Sequence, residues 1–226
     1  MGGFPKTQNP KIGDRIAKGS VMARVPLTVE TPNSFKLVIN AESACLTPDQ
    51  FFRLCGDNPD LRLELTARKE IIIMPPFGSE SGRRNLKILQ QLGSWADTDG
   101  TGYAFCTDSG FTLPNGAVRG PDAAWIRRET WEELSREKRE KFAPVCPDFV
   151  IELRSPSDSV SELQEKMREY IANGASLGWL IDPFDCCVFI YRPGLEPERL
   201  ERPLSVSGDP PLPGFVLNLP DILQDR

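Results

Sequence analysis

The chain has 226 residues, of which 39% are hydrophobic and 26% are charged, a composition typical of a globular protein with one large domain. Its net charge of −5 argues against a broad surface that coats nucleic acid, although a local basic patch is still compatible with it. The chain contains no histidine, which excludes Ser-His-Asp and Cys-His catalytic centres and any metal site that needs imidazole. Acid–base or metal chemistry would therefore use carboxylates together with Lys or Arg.

The sequence also lacks the usual signals of a secreted or membrane protein. Residues 1–10 are polar and rich in Gly and Pro, unlike a signal peptide, and no apolar run approaches the roughly 20 residues that a membrane span needs. The six cysteines are scattered, and none has the CxxC spacing of a zinc site. We therefore expect a cytoplasmic protein with free thiols and no membrane partner.

Capping signals and periodicity predict the elements of the first half. Residues 1–25 show no sustained periodicity and are predicted to be a loose arm. Thr47 followed by Pro48 predicts the start of a helix, with Thr47 as its N-cap. The hydrophobic pattern then predicts a hairpin and a long helix, over residues 61–65, 70–74 and 79–95.

The second half is predicted to alternate strands with helices. A turn is expected at 97–102, and strands are expected at 103–107, 111–114, 118–126, 148–154, 177–181 and 187–191. Residues 127–141 are predicted to be a charged helix or loop. A helix is predicted over 161–173, where Ser159 and Glu162 have the spacing of a capping box and Gly174 ends the helix. The order predicts an α/β fold with a mixed sheet between helices. No element is predicted after residue 194.

Two carboxylates occupy unusual positions on these strands. Glu152 lies among aliphatic residues of a predicted central strand, where an unpaired carboxylate would cost several kcal/mol. Asp122 follows Pro121 at the start of another apolar stretch. If the two strands are adjacent, the carboxylates would meet, and a cation between them would relieve their repulsion. Oxygen ligands favour Mg²⁺ or Mn²⁺ over zinc.

Each of these residues also has an ordinary structural interpretation. Glu152 could form a salt bridge with Arg154 or with a lysine of the next helix, and Asp122 could be a polar residue at a strand entry. Lys166 lies at the edge of the apolar face of the helix over 161–173, from which its ammonium could reach Glu152. It could equally be a solvated lysine that pairs with Glu162 or Glu169.

Four motifs add a resemblance to a known family. The segments RGPDAAWI (119–126), CPDFVIELRSPSD (146–158), LQEKMREYIANGA (163–175) and GWLIDP (178–183) resemble the Uma-type restriction endonucleases of the PD-(D/E)XK nuclease superfamily. The resemblance implies a restriction-endonuclease-like domain over 41–194, an N-terminal arm over 1–40, and a Pro-rich tail over 195–226 that packs on the domain. It also implies a divalent metal and hydrolysis of phosphodiester bonds.

The resemblance assigns roles to particular residues. Asp122 and Glu152 match the two metal-binding acids, and the backbone carbonyl of Leu153 would complete the coordination. Arg154 stands where the superfamily has lysine, which points to Lys166 as the displaced lysine that stabilises the attacking water, with Arg154 as a second basic group. Glu80 matches an acid on the first core helix and ranks lower, and Asp148 is a second choice to Asp122.

The expected partner is DNA, and a homodimer is expected because two active sites are needed to cut both strands. Candidate phosphate contacts are Arg83, Arg84, Lys87, Arg127 and Arg128, although such residues are more often solvated surface. One alternative is a nuclease-like fold with little or no catalysis that serves as a nucleic-acid-binding or assembly protein. Another is two-carboxylate glycoside hydrolysis, for which four Trp and three Tyr provide few sugar platforms.

Overall fold

The computed structural model describes residues 37–76 and 78–224. The arm predicted over 1–40 therefore lies outside the described residues, except for its last four, which form strand β1 (Leu37–Asn40). The next elements are, in order, a 3₁₀ turn (Glu42–Ala44), α1 (Pro48–Asp57), β2 (Arg62–Leu65), β3 (Glu70–Met74), α2 (Ser79–Asp99), β4 (Gly102–Cys106), β5 (Phe111–Thr112) and β6 (Val118–Arg119).

The second half continues the alternation of strands and helices. Its elements are β7 (Ala123–Arg127), α3 (Arg128–Glu132), α4 (Arg136–Arg139), β8 (Phe149–Leu153), α5 (Val160–Ala172), β9 (Leu177–Asp182), β10 (Cys187–Tyr191), β11 (Glu198–Glu201), β12 (Ser205–Ser207), β13 (Val216–Asn218) and α6 (Pro220–Leu223). None of the helices in the described part of the chain combines the length and the apolar character that crossing a membrane requires.

The strands form a central sheet of six strands, a second sheet of five, and a two-stranded ribbon. The central sheet has the order β11-β10-β9-β8-β7-β4 and is antiparallel except for the pair β8–β9, which α5 connects. The five-stranded sheet has the order β1-β3-β2-β6-β5. The mixed sheet flanked by helices confirms the predicted α/β class.

The two faces of the central sheet are buried by different helices. Ile151 and Leu153 of β8 belong to one core cluster together with Ile88 of α2, whereas Val150 packs in the other cluster with Met167 of α5. Because side chains alternate along a strand, Glu152 lies on the face of Val150, which α5 covers. This arrangement determines which helix can supply a partner for Glu152.

The predicted helix ends agree with the structure in one case and differ from it in two. Thr47 caps α1 in a full capping box with Gln50. The predicted turn at 97–102 was too long, because α2 continues to Asp99 and ends at Gly100, whose φ of 71° is the left-handed conformation that glycine adopts at helix ends. The capping box predicted at Ser159 is wrong, since no side-chain cap bond is formed and the Ser159 hydroxyl instead pairs with the Ser161 hydroxyl at 2.8 Å.

Two larger predictions also need correction. The single strand predicted over 118–126 is split into β6 and β7, which belong to different sheets, because Pro121 has no N–H for a ladder bond and the chain turns there. The tail, for which no element was predicted, contains β11 to β13 and α6. It contributes buried Phe215, Leu217 and Ile222 to the same core cluster as Ile151. Phe215 and Leu217 alternate as strand residues do, but the many prolines around them led the sequence to predict no element there.

Candidate active site

Asp122 lies immediately before β7, next to the end of β8. Ala123 pairs with Ile151 in the antiparallel register, so one step further along the ladder places Asp122 opposite Glu152. The backbone N–H of Leu153 donates to Oδ2 of Asp122 at 2.8 Å, and Asp122 is only 5% exposed. The strand break at Pro121 thus lets Asp122 turn its carboxylate onto the neighbouring strand instead of extending the ladder.

Glu152 is the fourth residue of β8 and is 4% exposed. Its Oε1 accepts the Lys166 ammonium at 2.8 Å and the Tyr170 hydroxyl at 3.1 Å, and both donors lie on α5. Lys166 thus reaches Glu152, as predicted, and this contact is at the same time the salt bridge to a lysine of the next helix that the ordinary interpretation allowed. In the described structure the carboxylate partners of Lys166 are Glu152 and Glu64, in place of Glu162 or Glu169. The structure brings together Asp122, Glu152 and Lys166 at one end of the sheet.

Hydrogen bonds orient both acids. Oδ2 of Asp122 accepts the Leu153 N–H, and Oε1 of Glu152 accepts the Lys166 ammonium and the Tyr170 hydroxyl. Backbone N–H and C=O groups of successive strand residues point to opposite neighbouring strands. Because the N–H of Arg154 donates to Ile181 in β9, the N–H and C=O of Leu153 point the other way, towards β7 and Asp122. The carboxylates of Asp122 and Glu152 and the Leu153 carbonyl thus lie at the same end of the β7–β8 pair, and such hard oxygen donors suit Mg²⁺ or Mn²⁺.

No larger donor set stands at this place. Groups of three or more His, Cys, Asp or Glu side chains arranged to hold a metal are absent from the part of the chain that the structure describes. An ion here would therefore take two side-chain ligands and complete its shell with the Leu153 carbonyl and water. That set is consistent with Mg²⁺, which usually keeps several waters and is bound by one or two carboxylates.

Burial raises the pKa of both acids, because a carboxylate that is removed from water resists ionisation. It raises the pKa of Asp122 from 3.8 to about 6, against the opposing effect of the Leu153 N–H. It raises the pKa of Glu152 from 4.5 to about 8, because desolvation, Asp122 and Glu64 together outweigh the attraction of Lys166. A bound cation would favour the charged form of both groups.

Lys166 is shared between two buried carboxylates. Its Nζ lies 2.8 Å from Oε1 of Glu152 and 2.8 Å from Oε1 of Glu64, a residue of β2 that sequence analysis overlooked. Burial alone would lower the pKa of Lys166, but the charges of Glu152 and Glu64 raise it above its ordinary value. The lysine is therefore held as a cation beside Glu152.

Arg154, the second basic candidate, is turned to other partners. Its guanidinium binds Asp182 at 2.8 Å, lies 3.9 Å from Asp185, and sits over the ring of Phe184. Within the described residues no bond joins Arg154 to Glu152. The suggested salt bridge between them is thus not formed, and of the two basic candidates it is Lys166 that contacts Glu152.

Glu80 is not brought to this cluster. It lies on α2, which packs on the face of the sheet opposite to Glu152, and its exposed carboxylate binds Arg83 at 2.6 Å and Arg84 at 3.1 Å. These contacts lower the pKa of Glu80, with the Arg83 hydrogen bond as the largest cause. Glu80 and Arg84 line a groove of about 760 Å³ that also includes Pro156 and Phe184. Lys87 is half-buried on the same helix and its ammonium is 3.4 Å from the side-chain oxygen of Gln90.

The remaining candidate phosphate contacts lie at the far end of β7. Arg127 ends that strand and binds Asp148 at 2.8 Å, and Arg128 contacts Glu132 at 3.4 Å. Arg127 lies five residues after Asp122 along β7, which at ~3.4 Å per residue is a distance of roughly 17 Å. Asp148, the second choice for a metal ligand, is thus a strand-entry residue that is occupied by Arg127.

Glu64, which lies outside the four motifs, connects Lys166 to further charged residues. Glu64 also accepts the guanidinium of Arg119 at 3.0 Å and the N–H of Gly120 at 3.0 Å, and Arg119 in turn binds Glu169 at 2.6 Å. The pattern Leu63-Glu64-Leu65 gave no signal for this role, since a strand that alternates in this way normally buries its apolar residues and exposes the acid. Here Glu64 is buried, at 3% exposure.

Comparisons with known proteins identify the family and the fold of the chain. Residues 48–220 match the family model Uma2, which is described as "Putative restriction endonuclease". A solved structure described as a putative nuclease belonging to DUF820, from Anabaena variabilis, is similar with a TM-score of 0.64 and 24% sequence identity. The similarity covers 79% of this chain and 97% of that one. The search of curated proteins returned no match.

Proposed function

Because the chain belongs to the Uma2 restriction endonuclease family, we propose that it is a metal-dependent endonuclease that hydrolyses phosphodiester bonds of DNA. Family and fold support a nuclease at the coarser level. The observation that carries the finer proposal is the convergence of Asp122 and Glu152. They lie thirty residues apart in the sequence, and their carboxylates stand at one sheet end with the Lys166 ammonium 2.8 Å from Glu152.

The residues present fit a divalent cation. We propose Asp122, Glu152 and the Leu153 carbonyl as ligands, with Mg²⁺ or Mn²⁺ as the ion. When bound, such an ion would lower the pKa of a water and offset charge on the scissile phosphate. The Leu153 N–H on Asp122 and the α5 donors on Glu152 fix the orientation of both carboxylates, as supporting hydrogen bonds do in metal sites.

Lys166 supplies the positive charge of the chain itself. Its ammonium is compact, buried and held beside Glu152, so it could contact the attacking water or an oxygen of the phosphate. Removal of one such donor commonly lowers a rate by ~10²- to 10³-fold. The proton of the water would go to solvent or to a neighbouring carboxylate, because the chain has no histidine to accept it.

A second candidate function is binding without catalysis. Arg154, at the position of the superfamily lysine, is bound to Asp182, and Arg83, Arg84, Arg127 and Arg128 are all paired with acids. A nuclease-like fold that binds nucleic acid or assembles with other proteins would show these features. It would bind DNA without cutting it in the presence of metal.

Cleavage assays distinguish the two functions. Supercoiled plasmid, single-stranded DNA and single-stranded RNA are incubated with the protein in Mg²⁺, Mn²⁺ or EDTA. We expect metal-dependent cutting of DNA, which falls by ~100-fold or more in Glu152→Gln and Asp122→Asn. Glu165→Gln is the matched control, because it removes an exposed acid of α5 without touching the cluster.

The outcomes separate clearly. DNA binding without cleavage in any metal would favour the binding function, and cutting that survives both substitutions would refute the assigned ligands. Cleavage of RNA alone would correct the substrate. We also propose a homodimer, because cutting both strands needs two sites, and light scattering of the purified protein measures the mass directly.

A further inference from the structure

Glu64 lies in the five-stranded sheet, outside the motifs that carry the family resemblance. It is the third residue of β2 and is 3% exposed. Both carboxylate oxygens are engaged: Oε1 accepts Lys166 at 2.8 Å and the Gly120 N–H at 3.0 Å, and Oε2 accepts Arg119 at 3.0 Å. An acid in such a setting is costly to bury, so its surroundings must compensate it.

Glu64 joins the three parts of the candidate active site. Glu64 contacts Lys166, which in turn binds Glu152. It also accepts the N–H of Gly120, in the turn that leads to Asp122 two residues later. Lysine has a long stem, and holding its ammonium in one place costs up to ~2 kcal/mol of side-chain entropy. Two carboxylates, each 2.8 Å from Nζ, offset this cost and define the position of the ammonium.

Arg119 alone does not account for the presence of Glu64. Arg119 already has a carboxylate partner in Glu169, whose Oε2 lies 2.6 Å from its Nε. The charge of the guanidinium is therefore compensated from α5, and no second acid is required for it. Glu64 contacts the Lys166 ammonium as well as Arg119, whereas Glu169 contacts Arg119 but not Lys166.

We propose that Glu64 is a positioning residue of the nuclease site, which fixes the Lys166 ammonium between β2 and β8 so that it meets the reacting phosphate. This inference rests on the proposed function. It makes the five-stranded sheet a part of the active site. It also assigns the third acid of the site to Glu64 on β2, where the resemblance had placed Glu80 on α2.

The test compares Glu64→Gln with Glu169→Gln. Both substitutions remove one negative charge next to Arg119, but only Glu64 contacts Lys166. We expect kcat for DNA cleavage to fall by ~10- to 100-fold in Glu64→Gln, with KM and Mn²⁺ affinity close to those of the wild type. Glu169→Gln should retain kcat. Equal losses in the two variants, or a change confined to KM, would overturn the proposal.

A second readout does not depend on activity. In ¹H–¹⁵N spectra of lysine ammonium groups, Lys166 should give a sharp signal in the wild type and in Glu169→Gln, which is lost or broadened in Glu64→Gln; Lys166→Met assigns it. An unchanged signal in Glu64→Gln would refute positioning even if DNA is cut. If the wild type cuts no nucleic acid, the proposed function fails, while this spectrum still decides whether Glu64 holds the lysine.

Folding is checked by urea unfolding of each variant. Should Glu64→Gln fail to fold, Glu64→Asp serves in its place, since it keeps the charge for Arg119 but shortens the side chain by one methylene. The shorter acid should loosen Lys166 in the same direction, with a lower kcat and a weaker ammonium signal. A wild-type kcat and signal in Glu64→Asp would count against the proposal.

Discussion

The substitution Asp122→Asn should stabilise the protein while it abolishes activity. Burial raises the pKa of Asp122 from 3.8 to about 6, so the folded state resists the charge that the unfolded chain carries freely. The ionisation of buried Asp122 therefore lowers the free energy of unfolding. This loss is absent below pH 3.8, grows between pH 3.8 and about 6, and is complete above that range. A tenfold change in an ionisation constant corresponds to ~1.4 kcal/mol, so the full penalty is about 3 kcal/mol.

The amide keeps the shape of the carboxylate and can still accept the Leu153 N–H. Its new N–H₂ needs a partner, which offsets part of the gain, so we expect the free energy of unfolding to rise by about 1–3 kcal/mol at pH 8. At pH 4 the difference should nearly vanish, because the folded wild type is then protonated at Asp122.

Urea unfolding in EDTA measures this effect at both pH values. Asp60→Asn is the matched control, since Asp60 is exposed and should show no comparable change. The reasoning about burial would be refuted if Asp122→Asn destabilised the protein equally at both pH values, or if its effect did not depend on pH.

Three further predictions concern the charge network and the packing of the sheet. Lys166→Met removes the cation that Glu64 and Glu152 share in a buried site, so the free energy of unfolding at pH 7 should fall by ~3 kcal/mol, whereas exposed Lys138→Met should change little in the same urea titration. Arg119→Met uncouples Glu64 from Glu169 and should cost ~3–5 kcal/mol by thermal unfolding; a loss below about 1 kcal/mol would contradict a buried pair. Gly102→Ala would place a Cβ 2.4 Å from the Ile126 carbonyl oxygen and should lower the free energy of unfolding by ~1–3 kcal/mol or more. Gly93→Ala adds a Cβ in open space within α2 and should raise that free energy by up to ~1 kcal/mol. The opposite order of the two variants in urea would refute the packing described.

Asp122 and Glu152 could be singled out from the sequence because local patterns mark each of them, whereas the adjacency of their strands was only a condition that the structure meets. Each acid interrupts an apolar strand, and the alternation of side chains fixes the face on which Glu152 lies. The choice of Lys166 needed the resemblance as well, since many helix lysines at that spacing face solvent. The assigned roles of all three residues remain proposals that the assays above address.

Glu64 could not be anticipated in the same way. It meets Lys166 across about a hundred residues of sequence, and its neighbours Leu63 and Leu65 indicate an ordinary strand with a solvated acid. Tertiary packing brings β2 to α5 and thereby Glu64 to Lys166, and the periodicity of β2 does not encode this packing. The tail was missed for a related reason: Phe215 and Leu217 alternate as strand residues do, but prolines on either side conceal the pattern.

The most direct test of the account is calorimetric titration of Mn²⁺ into the metal-free protein at neutral pH. The wild type and Glu165→Gln should each bind an ion with release of protons, because Asp122 and Glu152 must be ionised to act as ligands. Asp122→Asn and Glu152→Gln should lose that binding. Equal uptake by all four proteins, or none by the wild type, would contradict the claim that these two acids hold a metal.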